Sequence, residues 1–486
     1  MHAIWLPNGR EGGCRMPSIG PIIDAGLTWL SVMVLAYMGV VILFYSFFMF
    51  LSIVQLRKNV NQDDMQYEEM LNISHMKPIS ILVPAYNEEL GIAGSIRSLL
   101  SNQYPEFEII VINDGSKDAT LQTMIEQFDM EPAPRVVRKS LDTEPVHAVY
   151  RSRLHPHLVL IDKSNGGKAD ALNAGINYAR YPYFCSLDGD SVLESNSFLR
   201  VMKPILESDD EVIASGGSIR IANGCKIESG EIVKIGLSKN PFAVMQVIEY
   251  LRAFLLGRVG LSKLNLLLIV SGAFGVFHKH WVIEAGGYRR NTVGEDMELI
   301  VRLHRMIRDR KLDKQIIYIP DPVCWTEAPE SAKYLRRQRN RWHRGLLESL
   351  AIHRGMLLNP RYGLVGVVSM PYFLFIELLG PVVECLTYLL MLATLLAGEV
   401  YWTYTVLLLL ASVLFGSVFS MAAVLMEEWS LRKYPNVSDL LVLFAYAVFE
   451  SFWYRPLTVW WRIEGLLQWV IGKRGWGDMK RKGVSS

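Results

Sequence analysis

The chain has 486 residues, 51% of them hydrophobic, and a mean hydropathy of +0.20, high for a soluble enzyme. Its 50 basic residues are balanced by 48 acidic ones, so the basic footprint of a nucleic-acid binder is excluded. The 5 cysteines (Cys14, Cys185, Cys225, Cys324 and Cys385) have no C-x-x-C spacing, which argues against a zinc site or disulfide framework and for a reduced, cytosol-facing part.

In chain order, residues 1–24 read as an N-terminal extension, with Met16 as an alternative start. No charge occurs from Ala25 to Leu56. That stretch exceeds the roughly twenty apolar residues a bilayer needs, and it predicts a transmembrane anchor. Arg57 and Lys58 follow it while Arg10 and Arg15 precede it, which leans weakly toward a cytoplasmic segment after the anchor. Residues 57–77 read as a linker.

Residues 78–346 have globular composition. Short apolar runs at 79–85, 108–113, 158–162 and 183–187 alternate with helical patterns at 91–100, 117–128 and 168–179. This predicts an α/β domain with a mainly parallel sheet. Ligands of such sheets bind beyond the carboxyl ends of the strands, where Asn87, Glu88, Asp114 and Asp188 all fall.

The first strand end, Val83-Pro84-Ala85-Tyr86-Asn87-Glu88-Glu89, fits a nucleotide base or ribose, or a plain turn before a helix with favourable acids. The second, Ile112-Asn113-Asp114-Gly115-Ser116, offers Asp114 to a base or ribose, or forms an Asx turn. In Asn165-Gly166-Gly167-Lys168 two glycines allow close backbone approach, and the lysine opens a helix where phosphate is favoured. The alternative is a solvated helix start. In Asp188-Gly189-Asp190 the two carboxylates point to one side of a strand end. They make a hard-oxygen site for a divalent cation that also takes substrate phosphates, or an ordinary turn.

Downstream stand Ser271-Gly272-Ala273-Phe274-Gly275, Val293-Gly294-Glu295-Asp296 and Gln338-Arg339-Asn340-Arg341-Trp342. Read without relatives, Asp296 is a helix N-cap. The basic run around Gln338 is likewise an amphipathic helix on an anionic membrane surface. Residues 347–472 read as interfacial and transmembrane helices: spans near 381–397 and 403–425, an apolar run at 440–453, an amphipathic one at 457–471, and an interfacial or re-entrant piece at 363–379. Residues 473–486 form a basic cytoplasmic tail.

The order V-P-A-Y-N-E-E, I-N-D-G-S, N-G-G-K-A-D-A-L-N, L-D-G-D, S-G-A-F-G, G-E-D, Q-R-N-R-W resembles family 2 glycosyltransferases of the GT-A fold. The membrane-integrated branch is most similar; it includes cellulose, hyaluronan, chitin and poly-N-acetylglucosamine synthases. The resemblance implies a UDP-sugar donor held by Ala85, Tyr86, Glu88, Asp114, Lys168 and Asp188. It implies Mg²⁺ or Mn²⁺ on Asp188 and Asp190, and Asp296 as general base with Glu295 beside it. Ser271, Gly272, Gln338, Arg341 and Trp342 would serve the acceptor and diphosphate. The implied activity is inverting transfer to a growing β-linked polysaccharide, possessing a saccharide or lipid-linked acceptor, at a bacterial inner membrane with the catalytic domain cytoplasmic and accessory export subunits as partners. Single addition to a lipid carrier is the first alternative, and a non-catalytic membrane channel or scaffold the second.

The chain departs from that pattern in three places. It carries one helix before the catalytic domain, His278 where relatives often have arginine, and a long stretch at 131–159.

Overall fold

The computed structural model describes residues 20–60, 76–189, 191–228, 231–396 and 402–472. Asp190, most of the extension, the 61–75 part of the linker and the 473–486 tail lie outside these residues. Helix α1 (Gly20–Val60) contains the anchor. Strands β1 (Ile79–Ala85), β2 (Phe107–Asp114), β3 (Met130–Pro132), β4 (Val146–Ser152), β5 (Leu158–Lys163), β6 (Tyr183–Leu187), β7 (Val192–Leu193) and β8 (Val212–Ile221) follow, with β11 (Phe274–His278) and β12 (Gln315–Thr326) after a small hairpin of β9 (Lys226–Glu228) and β10 (Glu231–Lys234). The main sheet has the order β3-β4-β5-β2-β1-β6-β11-β8-β12-β7.

Its centre, β5-β2-β1-β6, is parallel. Both faces of this centre are covered, by α2 (Ile92–Leu100), α3 (Thr120–Gln127), α4 (Lys168–Tyr178) and α5 (Ser197–Glu207) among others. The central strands can therefore be apolar along nearly their whole length, as in Ile109-Ile110-Val111-Ile112, all fully buried. The flanks are mixed: β3-β4-β5 and β6-β11-β8 pair antiparallel, β8 and β12 parallel, and β12 and β7 antiparallel again. Strand β11 runs back along β6, pairing Phe274 with Leu187. Its first residues, just after Ser271-Gly272, consequently share an edge with the carboxyl ends of β1, β2, β5 and β6. Pairing between β1 and β6 stops at Leu82 with Ser186, whereas β1 stays paired to β2 as far as Ala85. Pro84, which lacks an N–H, falls in the part of β1 that has lost its β6 neighbour. Ladder pairing between the two strands ends there.

The long 131–159 stretch contains most of β3 and all of β4; β4 pairs antiparallel with β5, and β3 antiparallel with β4. A short turn is not what the extra length supplies; it builds a new sheet edge.

Helix α6 (Pro241–Leu251) passes through a π-helical stretch, Arg252–Arg258, into α7 (Val259–Lys263). Then come α8 (Lys279–Glu284), α9 (Glu295–Asp309) and α10 (Ala332–Ile352), which carries Gln338-Arg339-Asn340-Arg341-Trp342. After α10, π-helical pieces Val365–Ser369 and Tyr372–Leu378 lead into α11 (Gly380–Leu396). The last helices are α12 (Trp402–Ser430) and α13 (Val437–Val470).

Among the described residues, four helical stretches are long and apolar enough to cross a bilayer: Thr28–Arg57, Val365–Leu392, Val406–Ser430 and Val437–Val470. Two details differ from the sequence reading. The runs at 440–453 and 457–471 belong to a single helix, α13, which passes through Pro456 without ending. The 363–379 piece opens a span-length stretch, and its Val365, Met370, Tyr372, Phe373 and Leu378 join the hydrophobic core of the sheet domain. Hydropathy alone did not separate these roles, because one apolar surface can face lipid or protein.

Catalytic-side and membrane-side elements therefore share packing. A second core joins Leu56 of α1, Ile221 of β8, α6, Phe419 of α12 and Tyr454 of α13. Buried Arg220 of β8 donates to Glu427 of α12 within this contact. Removing one partner strands a buried charge, whereas removing both does not. Arg220→Leu or Glu427→Leu alone is expected to cost about 3–5 kcal/mol, and the double variant less than either, as read from thermal unfolding in detergent. A double variant worse than both single ones would contradict this.

Candidate active site

The exits of β1 and β2 are stitched together. Asn87, in the left-handed region at φ 55°, accepts a bond from the Lys117 N–H at 2.8 Å and donates its own N–H to Ser116 Oγ at 3.1 Å. The Glu88 N–H donates to Thr120 Oγ1 at 2.8 Å. Tyr86 stays 45% exposed beside them.

Asp114 is buried, and both its carboxylate oxygens are engaged. Oδ1 accepts from Lys163 Nζ at 2.6 Å and from the Gly166 N–H at 3.0 Å. Oδ2 accepts from the Gly167 N–H at 2.7 Å and Asn165 Nδ2 at 3.2 Å. The residue thus fastens the 165–167 loop over the end of β2. Gly115, at φ 65°, is required there, since a Cβ would lie 2.8 Å from the Asn165 nitrogen.

Lys163 is itself fully buried and also reaches Asp170 Oδ1 at 2.7 Å. Asp170 accepts in turn from Arg290 Nη1 at 3.1 Å, and Arg290 Nη2 from there reaches Asp142 at 3.1 Å in the 133–145 loop. This alternating chain of charges ties the second strand end to the segment that leads into Glu295 and Asp296. Sequence reasoning did not find Lys163, Asp170 or Arg290, because the partners lie 49 and 120 positions apart.

Lys168 opens α4, and its ammonium lies 2.5 Å from Asp188 Oδ1 and 3.0 Å from the Gly272 carbonyl. Burial pulls its pKa down, but Asp188, Glu295 and Asp296 together hold it above the ordinary lysine value. It is therefore a fixed cation among three carboxylates. The Gly272 N–H donates to Asp296 Oδ2 at 3.0 Å, and the Met297 N–H to Oδ1 at 2.8 Å. A Cβ on Gly272 would stand 3.1 Å from Lys168 Nζ and 3.3 Å from Asp296 Oδ2, so the Ser271-Gly272 turn lets lysine and aspartate meet across it. Burial first, and then the Asp296 charge, push the Glu295 carboxyl up to about 7, against the pull of Lys168.

Helix α10 lies directly against this segment. A Cβ on Gly345 would be 2.9 Å from the Gly294 Cα. Glu348 Oε2 accepts from the Val293 N–H and from Thr292 Oγ1, both at 2.9 Å. On its other side a Cβ on Gly465 of α13 would be 2.8 Å from the Asn340 carbonyl. Arg339 is buried and stacks 4.4 Å from the Trp342 ring centroid, while Trp342 remains 42% exposed.

A cavity of about 1000 Å³ joins these parts. Lys168, Asp188, Ser271, Gly272, Glu295, Asp296, Gln338, Arg341 and Trp342 all line it. Ala85, Tyr86, Glu88 and Asp114 do not; they sit at the same sheet edge outside its wall. The cavity continues between the span helices past Tyr45, Arg252, Glu384, Glu450 and Arg455. Arg252 donates to Glu450 at 2.8 Å, and Arg455 to Glu384 at 2.5 Å. Ionisable residues inside apolar spans mark a polar path. The sequence reading did not single out Glu450 or Arg455; charges inside an apolar run are the signal that could have found them.

A model of "Glycosyl transferase family 2" matches residues 80–229, and one of "Glycosyl transferase family group 2" matches residues 237–424. The chain belongs to glycosyl transferase family 2. The expected GT-A architecture also agrees with a solved mannosyltransferase from Pyrobaculum calidifontis, in complex with GDP-Man and Mn²⁺. That likeness has a TM-score of 0.52 at 15% identity and covers 92% of this chain and 100% of that one, so it speaks for the fold. Among curated relatives, a poly-beta-1,6-N-acetyl-D-glucosamine synthase of Staphylococcus epidermidis is 30% identical over 269 residues, 55% of this chain and 54% of the relative. One from Staphylococcus aureus (strain COL) is 28% identical over 278 residues, 57% and 56% of the two chains. This family 2 chain thus spans about half the length of the curated relatives it matches.

Two expected outcomes follow from this geometry. Gly345→Val drives a side chain into the Gly294 backbone and displaces Asp296 from Trp342; a shift of that size costs on the order of 100-fold in turnover, measured as UDP release by protein that remains folded. Glu295 has a folded pKa of about 7, above its ordinary 4.5. Its contribution to stability is therefore full below about 4.5 and is lost as pH rises through about 7. Glu295→Gln is expected to melt near the wild-type temperature at about pH 4.5 and several degrees above it at about pH 8; equal gaps at both pH values would contradict the shift.

Proposed function

We propose that this chain is an inverting membrane glycosyltransferase that moves sugar from a UDP-sugar to a growing β-linked polysaccharide and passes the product between its span helices. The observation that carries this reading is the continuity of one cavity, from Lys168 and Asp188 past Asp296 and Trp342 to the charged pairs among the spans. The names of the curated relatives support N-acetylglucosamine as the donated sugar.

In this reading the uridine lies at the sheet edge by Ala85, Tyr86 and Glu88. Asp114 contributes through the 165–167 loop that it fastens. Lys168, Gln338 and Arg341 converge on the diphosphate. Asp296, held by two backbone N–H groups, takes the proton from the acceptor hydroxyl. The freed oxygen attacks the anomeric carbon from the side opposite UDP, the bond to UDP breaks, and an α-linked donor gives a β-linked product. Trp342 offers the acceptor sugar a flat apolar face.

The residues present fit a divalent cation. Asp188 is a hard oxygen donor, 26% exposed at the cavity wall, and a cation that takes diphosphate oxygens needs only one or two carboxylates. Among the described residues no group of three or more His, Cys, Asp or Glu forms a self-sufficient metal cage, which suits an ion that arrives with its nucleotide. Bound at Asp188, with Asp190 as the second carboxylate, Mg²⁺ or Mn²⁺ would offset the charge that develops on departing UDP. The protein would sit in a bacterial inner membrane with its catalytic domain in the cytoplasm, and export subunits would meet it beyond the spans.

Purified protein given UDP-N-acetylglucosamine with Mn²⁺ or Mg²⁺ is expected to release UDP and to form a polymer, identified by size and linkage analysis. Asp296→Asn should lower the rate about 100- to 10,000-fold. A product limited to a single-sugar glycolipid would sink the polymerase reading.

A further inference from the structure

Trp342 is held through Arg339 of its own motif by residues that lie outside the motifs. Arg339, three positions earlier on α10, covers one indole face at 4.4 Å from the ring centroid and is 1% exposed. Its guanidinium is fixed by Glu249 of α6, whose Oε2 accepts from Arg339 Nη2 at 2.6 Å. The same Oε2 accepts from the Tyr454 hydroxyl at 2.8 Å, and Oε1 from Arg462 Nη2 at 3.3 Å, both on α13. One carboxylate thereby joins three helices behind the indole. Tyr250, the residue after Glu249, lies 6.3 Å from the Trp342 ring at a 37° tilt. Burial opposes a charge on Glu249, yet Arg339 and Arg462 hold its carboxyl below the ordinary range.

We infer that Glu249 is a positioning residue for the acceptor: through Arg339 it fixes the orientation of Trp342, so that the terminal pyranose of the acceptor rests on the indole face turned to the cavity. The inference rests on the functional reading above. With Arg339 over one face, a sugar that stacks on the indole takes the other. The ring can hold that angle only while the guanidinium behind it is held. The charge-assisted bond to Glu249 complements the one that Arg339 Nη1 donates to Gln338 Oε1 at 3.0 Å, and it is the stronger of the two. Because Tyr454 and Arg462 sit on a span helix, the platform is also set in register with the path that the product would follow. Glu249 makes no contact with the donor side, where Lys168 and Asp188 lie. Its loss should therefore affect elongation more than donor use.

The test compares full-length wild type, Glu249→Gln, Glu249→Asp and the double variant Glu249→Gln/Arg339→Met, with UDP-N-acetylglucosamine as donor and N-acetylglucosamine oligomers as acceptor. For Glu249→Gln the expected result is an acceptor KM raised about tenfold and a product several-fold shorter, with the donor KM within twofold of wild type and UDP still released by hydrolysis when acceptor is absent. Glu249→Asp should recover part of the product length. The double variant removes both buried charges; it should fold as wild type does and still elongate poorly, since the indole has lost its backing. Parallel loss of donor hydrolysis and elongation in the folded double variant would overturn the inference, as would wild-type product length in Glu249→Gln. Trp342→Ala calibrates the assay. If wild type builds polymer and Trp342→Ala does not, the functional reading stands whatever Glu249→Gln does; if wild type releases UDP but builds no polymer, both fall.

Discussion

Helix α10 is clasped between two backbones, and the arrangement of the site depends on that clasp. Gly345 meets Gly294 on the sheet-domain side, and Gly465 of α13 meets the Asn340 backbone on the membrane side. Neither contact leaves room for a side chain. Helix α10 also contributes Gln338, Arg341 and Trp342 to the cavity. A helix seated at backbone contact on both sides fixes the distance between Asp296, the second residue of α9, and the indole of Trp342. Glu348, bonded to Val293 and Thr292, sets the rotation of the helix about its own axis in the same contact.

Electrostatics divides the site into two regions. On the donor side, carboxylates and cations alternate from Asp114 through Lys163 and Asp170 to Arg290, so each buried charge has an opposite neighbour. At the centre the balance tips. Lys168 faces Asp188, Glu295 and Asp296, and the Glu295 carboxyl is raised first by burial and then by the Asp296 charge, against Lys168 and Arg341. A buried surplus of this kind is costly unless a cation or a proton joins it. The protein thereby stores an affinity for positive charge where the reading above puts a metal–diphosphate.

Much of this could be read from the chain. The strands at 79–85 and 183–187 coincide with β1 and β6, because a strand covered on both faces is nearly continuously apolar and leaves little doubt about its ends. The order of the short motifs pointed to the family and the GT-A fold. Less legible was whatever depends on distant pairs. Glu249 looks like a helix-surface acid until Arg339, Tyr454 and Arg462 close around it, and Lys163 looks like an exposed strand-end lysine until Asp114 and Asp170 bury it. The 131–159 stretch was noticed only as excess length, since short edge strands with mixed exposure carry little periodic signal. The 363–379 piece was ambiguous for a different reason: its apolar surface faces both the sheet domain and the spans.

The shared cores give the two halves of the cavity different degrees of independence. Lys168, Asp188 and the loop fastened by Asp114 hang from the sheet alone. The Trp342 end is assembled from α6, α10 and α13 at once. For anyone recombining such enzymes, the molecule is therefore divisible on one side only. A sheet domain could exchange its nucleotide loops with a relative and keep its architecture. A graft that separated the sheet domain from its own span helices would part Glu249 from Tyr454 and Gly465 from Asn340, and would leave the Trp342 end of the cavity without its floor.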